Sequence, residues 1–256
     1  YKIDQKNNAA YYFIDRHLDT KIENKKVFFE ATSICRSISY KDLSIQTNKM
    51  IGLLSKLNVR REERVLMLVL DQIEFPIIFW GCIKSGVIPV PINTLLSKDI
   101  IKTILDDCRA KTIFVSQEIK DLIFDIPDLY NQIDNIFVIG KSDNNKDVKN
   151  YTTELDLCVE KEIIKVSGDE PAFWLYSSGS TGEPKGAIHV HKSLLETFET
   201  YAVKVLKIKE KDIVFSVAKL FFAYGLGNAM TFPMGIGATT ALFPLRPTPD
   251  SVNDIM

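Results

Sequence analysis

The chain has 256 residues, room for one large domain or two modest ones at roughly 100–200 residues each. With 46% hydrophobic and 25% charged residues it has a globular composition, which excludes disordered and collagen-like classes. Thirty-two Lys and Arg against 33 Asp and Glu leave a net charge of −1, too little for an overall field that would hold nucleic acid or an anionic membrane surface.

The first residues, Tyr1 to Asn8, are polar and lack the basic-then-apolar order of an export signal. A short helical pattern runs from Ala9 to Leu18, with His17 expected on its surface, and a strand is predicted at Val27 to Glu30. From Tyr40 to Leu57, residues Leu43, Thr47, Met50, Ile51, Leu54 and Leu57 recur at helical spacing. The unbroken apolar run Val65 to Leu70 is short for a helix and suits a strand buried on both faces, which points to a parallel sheet. The most apolar stretch, Phe75 to Ile83, contains Pro76 and is closed by Lys84, well short of the ~20 residues that span a membrane.

Further strands are predicted at Val87 to Val90, Thr112 to Val115, Asn135 to Ile139, Ala172 to Tyr176, Ile213 to Val217 and Thr239 to Phe243. Ser97 is placed to cap a helix ending at Cys108, with Asp99 in its first turn and Ile100, Ile101, Ile104 and Leu105 facing a sheet. The polar run Gly140 to Asn150 reads as a surface loop, expected to separate two sheets. Strand then helix, repeated, predicts an α/β fold of parallel-sheet layers flanked by helices. Cys35, Cys82, Cys108 and Cys158 are far apart and form no C-x-x-C pair, which predicts reduced thiols and a cytoplasmic location.

The chemistry concentrates in Phe173-Trp-Leu-Tyr-Ser-Ser-Gly-Ser-Thr-Gly-Glu-Pro-Lys-Gly186, a strand running into a loop of small residues, hydroxyls and one lysine. Gly179, Gly182 and Gly186 permit positive φ and expose amide N–H groups as a concave anion nest. Ser177, Ser178, Ser180 and Thr181 add hydroxyl donors, and Lys185 adds a point charge, so the loop suits a polyphosphate. A plain surface turn is the competing reading. The NTPase P-loop does not fit, because Lys185 precedes Gly186 and no Ser or Thr follows it; G-x-G-x-x-G does not fit either.

The words Tyr-Ser-Ser-Gly-Ser-Thr-Gly-x-Pro-Lys-Gly resemble the signature loop of the AMP-forming acyl-CoA synthetases, most closely the benzoate-CoA ligase branch. The resemblance extends to Ile14-Asp-Arg-His-Leu18, Glu63-Arg-Val-Leu66, Gly86-Val-Ile-Pro-Val-Pro-Ile-Asn-Thr-Leu95, Lys219-Leu-Phe-Phe-Ala-Tyr-Gly-Leu-Gly-Asn228 and Gly237-Ala-Thr-Thr240. It implies that Ser177, Ser178, Gly179, Ser180, Thr181, Gly182 and Lys185 hold the phosphates of ATP, supplied with Mg2+, and that Lys185 takes part in catalysis. It also implies an acid pocket at Phe222, Ala223, Tyr224 and Gly225, with benzoate or a related aromatic acid passing through an acyl-adenylate to coenzyme A.

The resemblance further implies that residues 1–256 correspond to an incomplete N-terminal adenylation domain, with subregions at about 1–165 and 166–256. The family's later motifs and its mobile C-terminal domain have no counterpart before Met256, so these residues alone are expected to be inactive. An adenylation domain loading a carrier protein, and a non-catalytic nucleotide-binding module, remain as alternatives. The resemblance leaves the oligomeric state open. A core strand entering a helix is the competing reading of Phe221 to Gly227. His189 and His191, two apart, would share one face of a strand and could pair on a metal, but no neighbouring Asp, Glu or Cys completes a site, and no metal ligand is assigned. Trp80 and Trp174 read as core, and Lys204 to Asp212 as a solvated helix end.

Overall fold

Two-residue periodicity builds the centre of the protein. The computed structural model describes residues 3–141, 147–177 and 182–255. Its strands are β1 (Lys26–Glu30), β2 (Ser37–Ser39), β3 (Arg64–Leu68), β4 (Ile88–Pro91), β5 (Thr112–Ser116), β6 (Asn135–Ile139), β7 (Val148–Asn150), β8 (Pro171–Ser177), β9 (Lys185–Val190), β10 (Ile213–Phe215) and β11 (Thr239–Leu242). Five of them pair in parallel in the order β4-β3-β5-β6-β7. Alternate residues of this sheet enter two different cores. Val65, Met67, Phe114 and Phe137 pack with helices Tyr40–Lys56 and Glu74–Ser85. Leu66, Leu68, Ile113, Val115, Ile136 and Val138 pack with helix Lys98–Cys108 on the other side. Both faces are apolar, which is why these strands read as unbroken hydrophobic runs.

A second sheet has the order β10-β11-β1-β2, with β1 and β11 parallel and Phe28 opposite Thr240. Strands from the two subregions expected at 1–165 and 166–256 therefore share one sheet, and both contribute to the larger core. The remaining pair, β8 and β9, is an antiparallel hairpin whose first strand runs beside β4. Among the described residues no helix is long and apolar enough to cross a membrane.

Three local expectations are corrected. The polar run at 140–150 does not separate two sheets, because β6 before it and β7 after it pair within one sheet. Ser97 occupies the N-cap position of helix Lys98–Cys108 with extended backbone, but its hydroxyl makes no capping hydrogen bond. His17 is buried rather than on a helix surface. The helix that begins at Ala9 stops at Phe13, Ile14 leaves helical geometry, and the tight turn Asp15–His17 swings the imidazole inward. There Nε2 donates to the Met234 carbonyl at 2.8 Å, and the ring packs edge-on against Tyr40.

Burial lowers His17 from 6.5 to about 4, and His191 likewise to about 4. His191 Nδ1 accepts a hydrogen bond from the Ala9 N–H at 3.1 Å, so a proton on that nitrogen would break the bond. Both folded values lie below the unfolded value; the unfolded chain binds more protons, and stability is lost as pH falls from about 6.5 through 4. For His191 the full loss is about 3 kcal/mol. Asp71, raised by burial to about 6, acts in the opposite direction between about 4 and 6. The two imidazoles outweigh it. Urea midpoints should therefore fall between pH 7 and 4.5, and His191→Gln, which keeps an acceptor for Ala9, should flatten that fall; an unchanged slope in the variant refutes the assignment.

Candidate functional site

The glycine-rich segment joins β8 to β9. Ser177 is opposite Lys185 at its base, and Tyr176 is opposite Gly186. Ser178, Gly179, Ser180 and Thr181 lie outside the described residues. Ser177 and Lys185 are exposed where the strands open. Gly182 has φ +85°, a left-handed backbone, and among the described residues, its chain neighbours aside, no atom lies within 4 Å of the position a Cβ would occupy. Gly186 departs from expectation: its φ is not positive, and its missing side chain makes room for the Tyr176 ring, whose Cζ would be 3.1 Å from a Cβ. Tyr176 is itself fixed, its hydroxyl donating to the Asp107 carboxylate. Burial, then that hydrogen bond, keep the phenol protonated.

Beside the hairpin base is a cavity of about 530 Å³. Ser177, Gly182 and Pro184 line it from the hairpin, Phe221, Phe222 and Ala223 from the later segment, and Ile100 and Ile104 from helix Lys98–Cys108. Asn93, just past the C-terminal end of β4, adds a polar group, in keeping with ligand clefts at the carboxyl ends of parallel strands. The structure thus brings Phe222 and Ala223 to the base of the glycine-rich loop. Tyr224 and Gly225 are not in the lining: Tyr224 is exposed and Gly225 is buried against backbone. A second cavity of about 380 Å³ shares Asn93, Phe221 and Phe222 with the first. The larger groove of about 630 Å³ between Ile51, Asn58, Lys161 and Ile164 shares no residue with the hairpin, so its size gives it no claim on phosphate chemistry.

His189 and His191 do not form a pair. Strand β9 ends at Val190, and His191 opens helix His191–Thr197, so the two-residue alternation that would align them is lost. His189 stacks on Phe173 with ring centroids 4.5 Å apart and lines the cavity, half-buried and with its pKa lowered by desolvation; His191 faces the core. Trp80 is fully buried as expected, whereas Trp174 is only partly so, with the Arg64 guanidinium over its ring.

The family model described as AMP-binding enzyme matches residues 18–256. The chain belongs to that family. It is 39% identical over 252 residues to a benzoate–CoA ligase of Thauera aromatica, covering 98% of this chain and 47% of the relative. It is 40% identical to a 4-hydroxybenzoate–CoA/benzoate–CoA ligase of Rhodopseudomonas palustris, covering 97% and 45%. A crystal structure of a benzoate CoA ligase from Burkholderia xenovorans LB400 superposes with a TM-score of 0.85 at 32% identity over 96% of this chain and 47% of that one. The anthranilate CoA ligase AuaEII, crystallised with anthranoyl-AMP, gives 0.87 at 34% identity over 93% and 45%. The chain thus spans about half the length of these relatives, and its α/β fold of parallel-sheet layers is that of adenylate-forming CoA ligases over the matched half.

Two residues that line the cavity, Ile100 and Ile104, were expected only to face a sheet. Ile100 and Ile104 look like the sheet-facing stripe of an amphipathic helix, and Ile104 does reach the second core while also lining the cavity. Ile100 stands at the edge of that stripe and is 37% exposed. An apolar residue at a stripe's edge is the signal that would have marked it.

Proposed function

We propose that this chain supplies the phosphate loop and aryl pocket of an ATP-dependent carboxylic acid:CoA ligase acting on benzoate or a related aromatic acid. The observation that carries this is a cavity walled by both the described ends of the glycine-rich segment and Phe222-Ala223. In the proposed reaction the acid's carboxylate oxygen bonds to the α-phosphorus of ATP and the bond to pyrophosphate breaks, giving an acyl-adenylate. The thiol of coenzyme A then attacks the acyl carbonyl and AMP leaves. In this reading Ser177, Ser178, Gly179, Ser180, Thr181, Gly182 and Lys185 hold the β- and γ-phosphates, and donors fixed there stabilise the charge that builds on the leaving pyrophosphate. In this proposal Mg2+ arrives with the phosphates of ATP, since Mg2+ is usually held by substrate phosphates with only one or two carboxylates.

Phe221 and Phe222, with ring centroids 4.5 Å apart, offer aromatic walls, and an aryl substrate gains about 0.5–1.5 kcal/mol on such faces beyond area burial. Tyr224 and Gly225 serve this reading indirectly, through the helix Ala223–Leu226 that presents Ala223. In a protein carrying both halves, Ala223→Leu should fill the slot and cost substituted benzoates about 1–3 kcal/mol in kcat/KM, with a short aliphatic acid less affected. Equal losses for benzoate, a para-substituted benzoate and a short fatty acid would remove the aromatic assignment.

A further inference from the structure

The segment that follows β3 is clamped from two sides. Leu70 N–H donates to Ser116 Oγ at 3.0 Å, and Gln72 Nε2 reaches the same oxygen at 3.3 Å. On the other side Ile73 N–H donates to Glu30 Oε1 at 3.0 Å, while Arg36 bridges Glu30 and Glu74, the first residue of helix Glu74–Ser85. A chain tied through its backbone at 70 and 73 and through the side chain at 72 gives residue 71 little freedom. Its side chain, the Asp71 carboxylate, is 6% exposed.

That carboxylate is aimed at the segment leading into the cavity wall. Oδ1 accepts the Leu220 N–H at 3.2 Å, and Oδ2 is 3.8 Å from Lys219 Nζ. Lys219 in turn donates to the carbonyls of Phe243 and Leu245, the latter at 2.8 Å, and its ammonium stands 5.6 Å from the Phe243 ring centroid. Three stretches far apart in sequence, around 71, 219 and 244, therefore meet at one buried carboxylate and one ammonium. The next residues along the chain are Phe221 and Phe222, which both cavities share as a partition.

A lone buried carboxylate is costly, and one that accepts a backbone N–H and faces an ammonium is a fixed reference point. Burial raises the Asp71 pKa and lowers that of Lys219, each opposed by the other's charge. We infer that Asp71 and Lys219 are positioning residues that set the width of the aryl pocket by fixing the start of the Phe221-Phe222-Ala223 wall. The inference rests on the aromatic-acid reading above, and it assigns specificity to two residues that touch neither acid nor nucleotide in that reading.

The test uses Asp71→Ala, Asp71→Asn and Lys219→Met in a protein carrying both halves. Amide exchange of the peptide spanning 217–223 should quicken about tenfold or more in Asp71→Ala, less in Asp71→Asn, which keeps an acceptor for Leu220. The kcat/KM ratio for benzoate over a short aliphatic acid should fall about tenfold, chiefly through KM for benzoate. Lys219→Met should lower that ratio too, and in the double variant Asp71→Asn/Lys219→Met the two losses should not add, because both break the same contact. If Asp71→Ala does not fold, Asp71→Asn and Lys219→Met decide the matter alone. Unchanged exchange at 217–223 together with an unchanged ratio overturns the inference. If the unaltered protein fails to activate benzoate, the function reading falls, while amide exchange still decides whether Asp71 holds the wall.

Discussion

Lys185→Ala, in a protein carrying both halves, is expected to slow acid-dependent pyrophosphate exchange by about 10²–10³, the range for removing one preorganised donor from developing charge. The position makes the experiment clean. Lys185 is exposed at the open end of the hairpin, opposite Ser177, and lies outside both hydrophobic cores. Substitutions at such sites alter stability by about 0.5 kcal/mol or less, so a loss of rate with an unchanged melting temperature is a loss of phosphate chemistry. Lys185→Arg keeps the charge but not the ammonium's compact shape, and should recover part of the rate. Exchange equal to that of the unaltered protein in Lys185→Ala would remove Lys185 from the catalytic reading.

The sequence made the parallel sheet legible for a simple reason. Strands β3, β5 and β6 are buried on both faces, so each is a run of apolar residues too short for a helix. Edge and hairpin strands were less visible. β2 and β7 are three residues long, and β9 alternates so weakly, with Lys185 to Ile188 all exposed, that no period marks it as a strand. His17 was misplaced because a helical period was extended through Ile14, where the backbone leaves the helix. The proposed phosphate loop stood out by composition, since glycine and hydroxyl residues with one lysine suggest an anion site locally. The cavity was not, because its walls come from positions near 93, 100, 176, 184 and 222, and only the crossing of β8 beside β4 brings them together. Likewise nothing local in Leu70-Asp71-Gln72 announces a partner at Lys219; that contact is a property of the fold.

Gly225→Ala should be the most damaging of the small substitutions near the cavity, and for a reason that composition hid. As a pocket residue Gly225 would be expected to face ligand; in the structure it faces backbone. A Cβ built there falls inside van der Waals contact of the Lys219 and Ala218 carbonyl oxygens, atoms that no side-chain rotation can move aside. The Lys219 carbonyl already accepts the Phe222 N–H at 3.0 Å, and the Phe222 carbonyl accepts the Leu226 N–H at 2.8 Å, so the added methyl strikes the turn that starts the helix Ala223–Leu226. Overpacking against fixed backbone falls at the upper end of the usual range of about 1–3 kcal/mol for extra methylenes. A loss of about 3 kcal/mol corresponds to a melting temperature lower by roughly 6–12 °C for a unit of this size. Gly182→Ala is the matched control. There φ is +85° and the space is open, so the cost is the left-handed backbone alone, about 1–2 kcal/mol. If Gly225→Ala melts no lower than Gly182→Ala, the turn at 218–226 yields to the methyl, and the wall presented by Phe222 and Ala223 is not built on that close approach.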